Sequence, residues 1–271
     1  MNKMESQNMV KSKFETILYE VEKSIAYIIL NRPEIHNAFN NVMINELSAV
    51  FDDIKEDADI RVVILTGKGK SFCAGADLNW MRKVKDYSYD DNLKGSLALS
   101  ELFYKIYSLP KPTIARVNGT AIGGGTGLVA VCDIAVASEK ARFSFSEVKL
   151  GLIPACISPY VVKKCGEGRC REFFLTGERM TAEKANKAGL VNFVAPFDKI
   201  DDIVENLVKQ LVSSGPVAIQ KCKELLRKVP EMSLEKVGKY TAEVIAKMRM
   251  SNEGQEGMSA FFEKRKPKWN K

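Results

Sequence analysis

Residues Gly119–Ser138 read GTAIGGGTGLVAVCDIAVAS. Five glycines fall within nine residues, and an apolar run follows at once. Just upstream, "PTIARVNG" (112–119) has the make-up of a buried strand, and downstream "DIAVAS" (133–138) reads as another. A glycine-lined link between a strand and a short apolar helix brings backbone, without side chains, close to something else. Working outward, "ETILYEV" and "SIAYIIL" are strand-type runs joined by "EKS", a hairpin signal. "NRPEIHNAFN" is a loop, after which Asn40 or Asn41 caps a helix carrying Ile44, Leu47, Val50, Phe51 and Ile54 at helical spacing. "RVVILTG" is a buried strand and "LALSELFYKIYSLP" a helix that stops at Pro110. The order β-β-α-β-α-β-α-β predicts an α/β fold in which strands feed crossover helices.

Beyond about residue 157 the pattern turns helical. "DDIVENLVKQLV", "VAIQKCKELLRKV" and "LEKVGKYTAEVIAKMRM" are amphipathic. Three such helices after an α/β core either fold back on it or cover a neighbouring subunit. The predicted divisions are a frayed tail over 1–13, an α/β core over 14–200 and a helical oligomerisation region over 201–271. No repeat of solenoid period and no low-complexity tract occurs.

Composition narrows the function. Of 271 residues, 45% are hydrophobic and 28% charged, the balance of a globular domain with a core of its own. The net charge of +7 is spread along the chain, with small clusters only at Lys163-Lys164 and Lys264-Arg265-Lys266. That distribution favours a small anionic ligand, or plain solubility, over a nucleic-acid stripe. Six cysteines form no CxxC pair, which predicts reduced thiols, a cytoplasmic setting and no metal. The N-terminal residues lack the apolar segment of a signal peptide, and no apolar run is long enough to span a membrane.

Glycines at a helix start leave unpaired N–H groups that can face an anion, or a carbonyl oxygen on its way to becoming one. Neither a GxxxxGK[ST] loop nor a dinucleotide GxGxxG unit is present. Close helix–strand packing explains the glycines equally well. A second stretch, "TGKGKSFCAGADLNWM" (66–81), has the same build: buried strand, glycine loop, helix start at Asp77. Two such loops can each offer one N–H to one oxygen, which an oxyanion hole requires.

The stretches "SFCAGADL", "KPTIARVNGTAIGGGTGL", "CDIAVASEKARFSFSEVKLGLIP", "LTGERMTAEKANKAGLV" and "EGMSAFFEKRKPKW" together resemble the crotonase (enoyl-CoA hydratase/isomerase) family, from about Glu15 to Trp269. Within it, the run from Gly127 to Lys164 is most similar to bacterial methylglutaconyl-CoA hydratase-type members. The resemblance implies a crotonase-like ββα spiral core with a helical trimerisation region, assembling as a trimer or a hexamer. It implies an acyl-CoA thioester substrate and no cofactor besides the coenzyme A of that substrate. By the same resemblance, the Ala76 and Gly124 N–H groups form the oxyanion hole and Glu147 is the catalytic acid/base. Arg32, Glu34, Ala38, Ala74, Asp77, Leu78, Gly123, Phe261 and Lys264 line the substrate and CoA site.

One position departs from the family pattern. The first of its two carboxylates falls on position 127, and this chain has Gly127 there. Adding water across C=C needs a base for water and an acid for Cα, so Glu147 alone must serve both. The space left at Gly127 is expected to hold water or part of the substrate. The implied reaction is hydration of a short branched enoyl-CoA such as 3-methylglutaconyl-CoA. A Δ3-Δ2 isomerase and an RNA-binding homologue are the alternatives. Read alone, Glu147 is a surface glutamate, Asp77 a helix cap, His36 a loop polar group, and Trp80 and Trp269 packing residues. Residues 79–96 are expected to shape the acyl pocket.

Overall fold

The computed structural model describes residues 14–270; the stretch read as a tail, 1–13, lies outside them. β1 (Ile17–Glu22) and β2 (Ile25–Leu30) form the expected antiparallel hairpin, turning through Lys23 at a φ of 56°. α1 (Asn41–Glu56) starts where Asn40 accepts the Met43 N–H, which satisfies one of the helix's orphan donors.

A unit of long strand, short strand and helix then recurs three times. β3 (Val62–Gly67) and β4 (Ser71–Cys73) lead to α2 (Leu78–Val84) and α3 (Tyr89–Ser108). β5 (Thr113–Val117) and β6 (Thr120–Ile122) lead to α4 (Gly124–Val131). β7 (Ile134–Ser138) and β8 (Arg142–Ser144) lead to α5 (Ser158–Thr176). β9 (Met180–Thr181), α6 (Ala182–Lys187) and β10 (Phe193–Ala195) follow, then α7 (Ile200–Ser213), α8 (Pro216–Lys228), α9 (Leu234–Met250) and α10 (Asn252–Phe262). The three-residue strands, and two strands beyond residue 157, escape the sequence reading because so few residues carry no period.

The long strands build one sheet in the order β1-β2-β3-β5-β7-β10, parallel except for the β1–β2 hairpin. The short strands build a second, β4-β6-β8-β9. Each turn of the chain therefore adds a strand to both sheets. Alternation on β3 decides the packing. Val63 and Leu65 face the main core, while Val62 and Ile64 join Ile114 and Val136 on the opposite face, under Ile200, Val204 and Val208 of α7. The first C-terminal helix thus folds back on the core, at about 1.5–3 kcal/mol per fully buried Val or Ile side chain.

Of the other three, α9 buries no residue, and Leu234, Met250, Phe261 and Phe262 are between 78% and 91% exposed. α10 is bonded to α8: the Glu253 carboxylate accepts the Val217 and Ala218 N–H groups at the α8 N-terminus. No helix among the described residues is long and apolar enough to cross a membrane.

Candidate active site

The glycines of the opening stretch answer to several neighbours. A Cβ at Gly119 or Gly125 would run into the backbone carbonyls of Lys70 or Cys73, and one at Gly124 into the Phe39 ring. The packing reading therefore holds for these three. Gly123 differs. It is the N-cap of α4 at φ 53°, a left-handed conformation that glycine adopts without strain, and a Cβ there would lie 3.0 Å from Glu147 Oε1. The Glu147 carboxylate consequently rests against the start of α4.

Glu147 projects from a 3-10 turn over Ser146–Leu150, placed by β8 immediately before it. Its Oε2 is enclosed with no hydrogen-bond partner. Burial pushes its pKa above the usual glutamate range, and its own backbone N–H offsets part of that rise. A partly buried carboxylate with one oxygen unpartnered is costly, and that arrangement is a signature of functional sites.

Ala76, Gly124 and Glu147 line one cavity of about 370 Å³. Ala76 forms a bridge with Phe39, which uses the Phe39 N–H to the Gly75 carbonyl and the Asp77 N–H to the Phe39 carbonyl. The Ala76 N–H takes no part in it. Gly124 is the first residue of α4, where a helix leaves its N–H unpaired. Neither N–H donates to a backbone acceptor in the turns, loops and caps of the described residues. Two free donors beside one half-buried acid can hold a carbonyl oxygen and move a proton at the neighbouring carbon.

The loop carrying Ala76 is held by buried amides. Asn37 donates to the Lys68 and Ser71 carbonyls, and Asn118 to those of Gly69 and Ser71 while accepting the Gly67 N–H. Arg32 clamps the same region: its guanidinium donates to the Ala38 carbonyl at 2.7 Å and to Asp77 at 2.8 Å. Asp77 also caps α2 by accepting the Asn79 and Trp80 N–H groups. Burial pushes Asp77 up, but the Trp80 N–H, the Arg32 guanidinium and the Asn79 N–H outweigh it and hold its carboxyl below the usual range.

Of the remaining residues expected at the site, Ala74, Leu78 and Gly123 line the Glu147 cavity. Ala38 is buried and does not line it, and Glu34 is exposed on a 3-10 turn. Phe261 and Lys264, at the end of α10, do not line it, nor does Arg32. His36 is exposed, with Nδ1 at 3.0 Å from Ser71 Oγ. The cysteines Cys73 and Cys132 are fully buried small residues, and burial pushes both thiols up to about 12.

The expected vacancy at Gly127 does not exist. A Cβ there would collide with Ile157 Cγ2 and stand 3.0 Å from Ile157 Cβ and 3.1 Å from Phe103 Cζ. Both side chains are at most 3% exposed. An apolar plug, with no room for water or substrate, occupies the place of a second carboxylate. Sequence reasoning missed Ile157 and Cys156 as cavity walls. Trp80 lies inside the 79–96 segment expected to shape the pocket, but nothing in one sequence marks Ile157 as facing Gly127, thirty positions away.

Two sheets thus bring two free backbone donors and one half-buried acid to a single cavity at the start of α4. Comparison with known proteins agrees. The model of the enoyl-CoA hydratase/isomerase family matches residues 20–271. The crystal structure of an enoyl-CoA hydratase from Shewanella pealeana is 39% identical, with a TM-score of 0.92, covering 95% of this chain and 97% of that one. The 2,3-dehydroadipyl-CoA hydratase of Escherichia coli is 33% identical over 91% of this chain and 95% of its own. The short-chain-enoyl-CoA hydratase of Clostridium acetobutylicum is 30% identical over 94% and 97%. The chain belongs to the enoyl-CoA hydratase/isomerase family.

Proposed function

We propose that this protein is an enoyl-CoA hydratase, a carbon–oxygen lyase that adds water reversibly across the 2,3 double bond of an enoyl thioester. The observation that carries the reading is Glu147, half-buried with Oε2 enclosed and unpartnered, in one cavity with the two free N–H groups of Ala76 and Gly124. The thioester oxygen accepts from both N–H groups. Ionised Glu147 takes a proton from water as the water oxygen bonds C3, and the π electrons move onto the thioester oxygen as an enolate. The enolate collapses by taking that proton from Glu147 at C2, which restores the carboxylate. One carboxylate performs both transfers because Ile157 and Phe103 close the second position.

That same plug favours a second reading. An isomerase moves one proton between C2 and C4 and needs one acid/base only. The finer substrate reading is 3-methylglutaconyl-CoA, supported by the resemblance of residues 127–164. Arg32 and Lys264 are proposed near the CoA phosphates. The exposed apolar residues of α9 and α10 support a trimer or a hexamer. The test is a panel of crotonyl-CoA, 3-methylglutaconyl-CoA and a 3-enoyl-CoA, followed for water addition and double-bond migration. Hydration of a 2-enoyl thioester that is lost in Glu147→Gln supports the reading. Migration without hydration replaces it with the isomerase.

A further inference from the structure

Glu147 is the one charged side chain lining its cavity. An acyl group ending in a carboxylate has no cation to meet there and faces repulsion from Glu147. This cavity has a neighbour. A larger one, about 530 Å³, lies between α1, α2 and α3, and the two share Trp80, Ser96 and Leu99 as walls. The Trp80 indole N–H is enclosed without an acceptor, so no hydrogen bond pins the ring that separates them.

The second cavity has a different chemistry. Asn41 and Asn45 of α1 and Lys94 of α3 line it. Lys94 has no carboxylate within 4 Å among the described residues. The one acid on the same wall, Asp91, accepts from Ser88 Oγ at 2.6 Å in the first turn of α3, where the helix N-terminus favours negative charge. Lys94 is the one cation lining this groove and Asp91 its one carboxylate, and the Asp91 charge is directed to Ser88 and the start of α3. Beside it, Gly95 sits inside a helix with open space where a Cβ would go. Glycine costs about 1 kcal/mol there relative to alanine, with no packing reason to keep it. Its absent side chain widens the groove.

We propose that this groove continues the acyl pocket and that Lys94, assisted by the Asn41 and Asn45 amides, binds a carboxylate at the far end of the acyl chain. The preferred substrates are then enoyl thioesters of dicarboxylic acids. This rests on the hydratase reading and deepens its 3-methylglutaconyl-CoA form, whose acyl group also ends in a carboxylate, by naming the groove and the residues that bind that end. The acyl chain leaves the reacting carbons between Ala76 and Gly124, passes Trp80, and presents its anion to Lys94 away from Glu147.

The experiment compares kcat/KM for crotonyl-CoA, 2-hexenoyl-CoA and 2,3-dehydroadipyl-CoA, the last two alike in chain length and different in the terminal carboxylate. The wild type is expected to favour the carboxylated six-carbon substrate by about two- to fivefold, the effect of one exposed ion pair. Lys94→Met should bring that ratio to near one, and Lys94→Glu below one. Lys94 is exposed, so neither change threatens the fold. Gly95→Leu should depress both six-carbon substrates relative to crotonyl-CoA. A wild-type preference for 2-hexenoyl-CoA, or a ratio that Lys94→Met leaves in place, overturns the proposal. Hydration of crotonyl-CoA with loss of both longer substrates also overturns it, while the hydratase reading survives. Turnover of none of the three defeats the hydratase reading itself, and this inference with it.

Discussion

Gly127 is the position where sequence and structure can be set against each other in energy. Replacing it with alanine inside α4 should by propensity alone stabilise the helix by about 1 kcal/mol. The structure opposes that gain. The new methyl overlaps Ile157 Cγ2 and presses on Ile157 Cβ at 3.0 Å and Phe103 Cζ at 3.1 Å, inside a core where both are essentially unexposed. Overpacking of this kind costs about 1–3 kcal/mol. The net expectation for Gly127→Ala is a loss of about 0–2 kcal/mol. Ile157→Ala alone leaves a cavity and should cost about 2–5 kcal/mol. In the double variant the added methyl enters the space vacated, so the two losses should fall short of their sum by about 1 kcal/mol or more. Urea unfolding of the four proteins at one fixed protomer concentration measures the cycle. Gly127→Ala more stable than wild type by the full propensity gain, with losses additive to within about 0.5 kcal/mol, would refute the packing argument. The same collision bears on catalysis. Gly127→Glu by itself cannot install a second catalytic carboxylate, and its turnover should improve only when Ile157 is also reduced to alanine.

Glu147→Gln should lower kcat by about 10²–10⁴ while acyl-CoA still binds, as read by steady-state kinetics and titration calorimetry. It should also raise the neutral-pH melting temperature. Because burial raises the folded pKa of Glu147, wild-type stability is lost as pH climbs from the unfolded glutamate value toward the folded one, and glutamine escapes that loss. The stability gap between the two proteins should therefore close near pH 4 and be full at pH 7. If Glu147 acts as base, the acid limb of the kcat profile lies above the ordinary glutamate value of about 4.3. Gly123→Ala should abolish turnover, since its φ of 53° strains any L side chain and the methyl crowds the carboxylate. Asp133 accepts from Thr113 and from buried Lys223 at 2.5 Å; Asp133→Ala, by stranding that ammonium, should cost about 3–5 kcal/mol in unfolding. Sedimentation at micromolar protein should give a trimer or hexamer, and a monomer would defeat that assembly.

Much of the molecule can be read along the chain because its signals are local. The EKS hairpin, the Asn40 cap, the Asp77 cap and the period of α1 each depend on residues within a few positions of one another. The buried runs of β3, β5 and β7 are legible for the same reason. The second sheet is not, since Ser71–Cys73, Thr120–Ile122 and Arg142–Ser144 gain strand structure only from pairing with each other across the fold. The threefold ββα unit likewise repeats in space without repeating in sequence. α10, the fourth C-terminal helix, was missed because its two exposed phenylalanines and interior glycines dilute the period.

At the site, the sequence by itself determined that glycines stand at two helix starts and that one glutamate, with no second carboxylate, is available to work between them. Those facts are written in residue types at short spacing. Tertiary structure alone decided what meets those glycines. It set the Phe39 ring on Gly124, the Glu147 carboxylate on Gly123 and the Ile157 side chain in the place a second carboxylate would take. It also opened the groove from Trp80 to Lys94. Each of these contacts joins residues far apart in the chain, and their distance is fixed by how two sheets and the helices between them pack. No local pattern encodes that distance, because the core sets it through all of its residues at once.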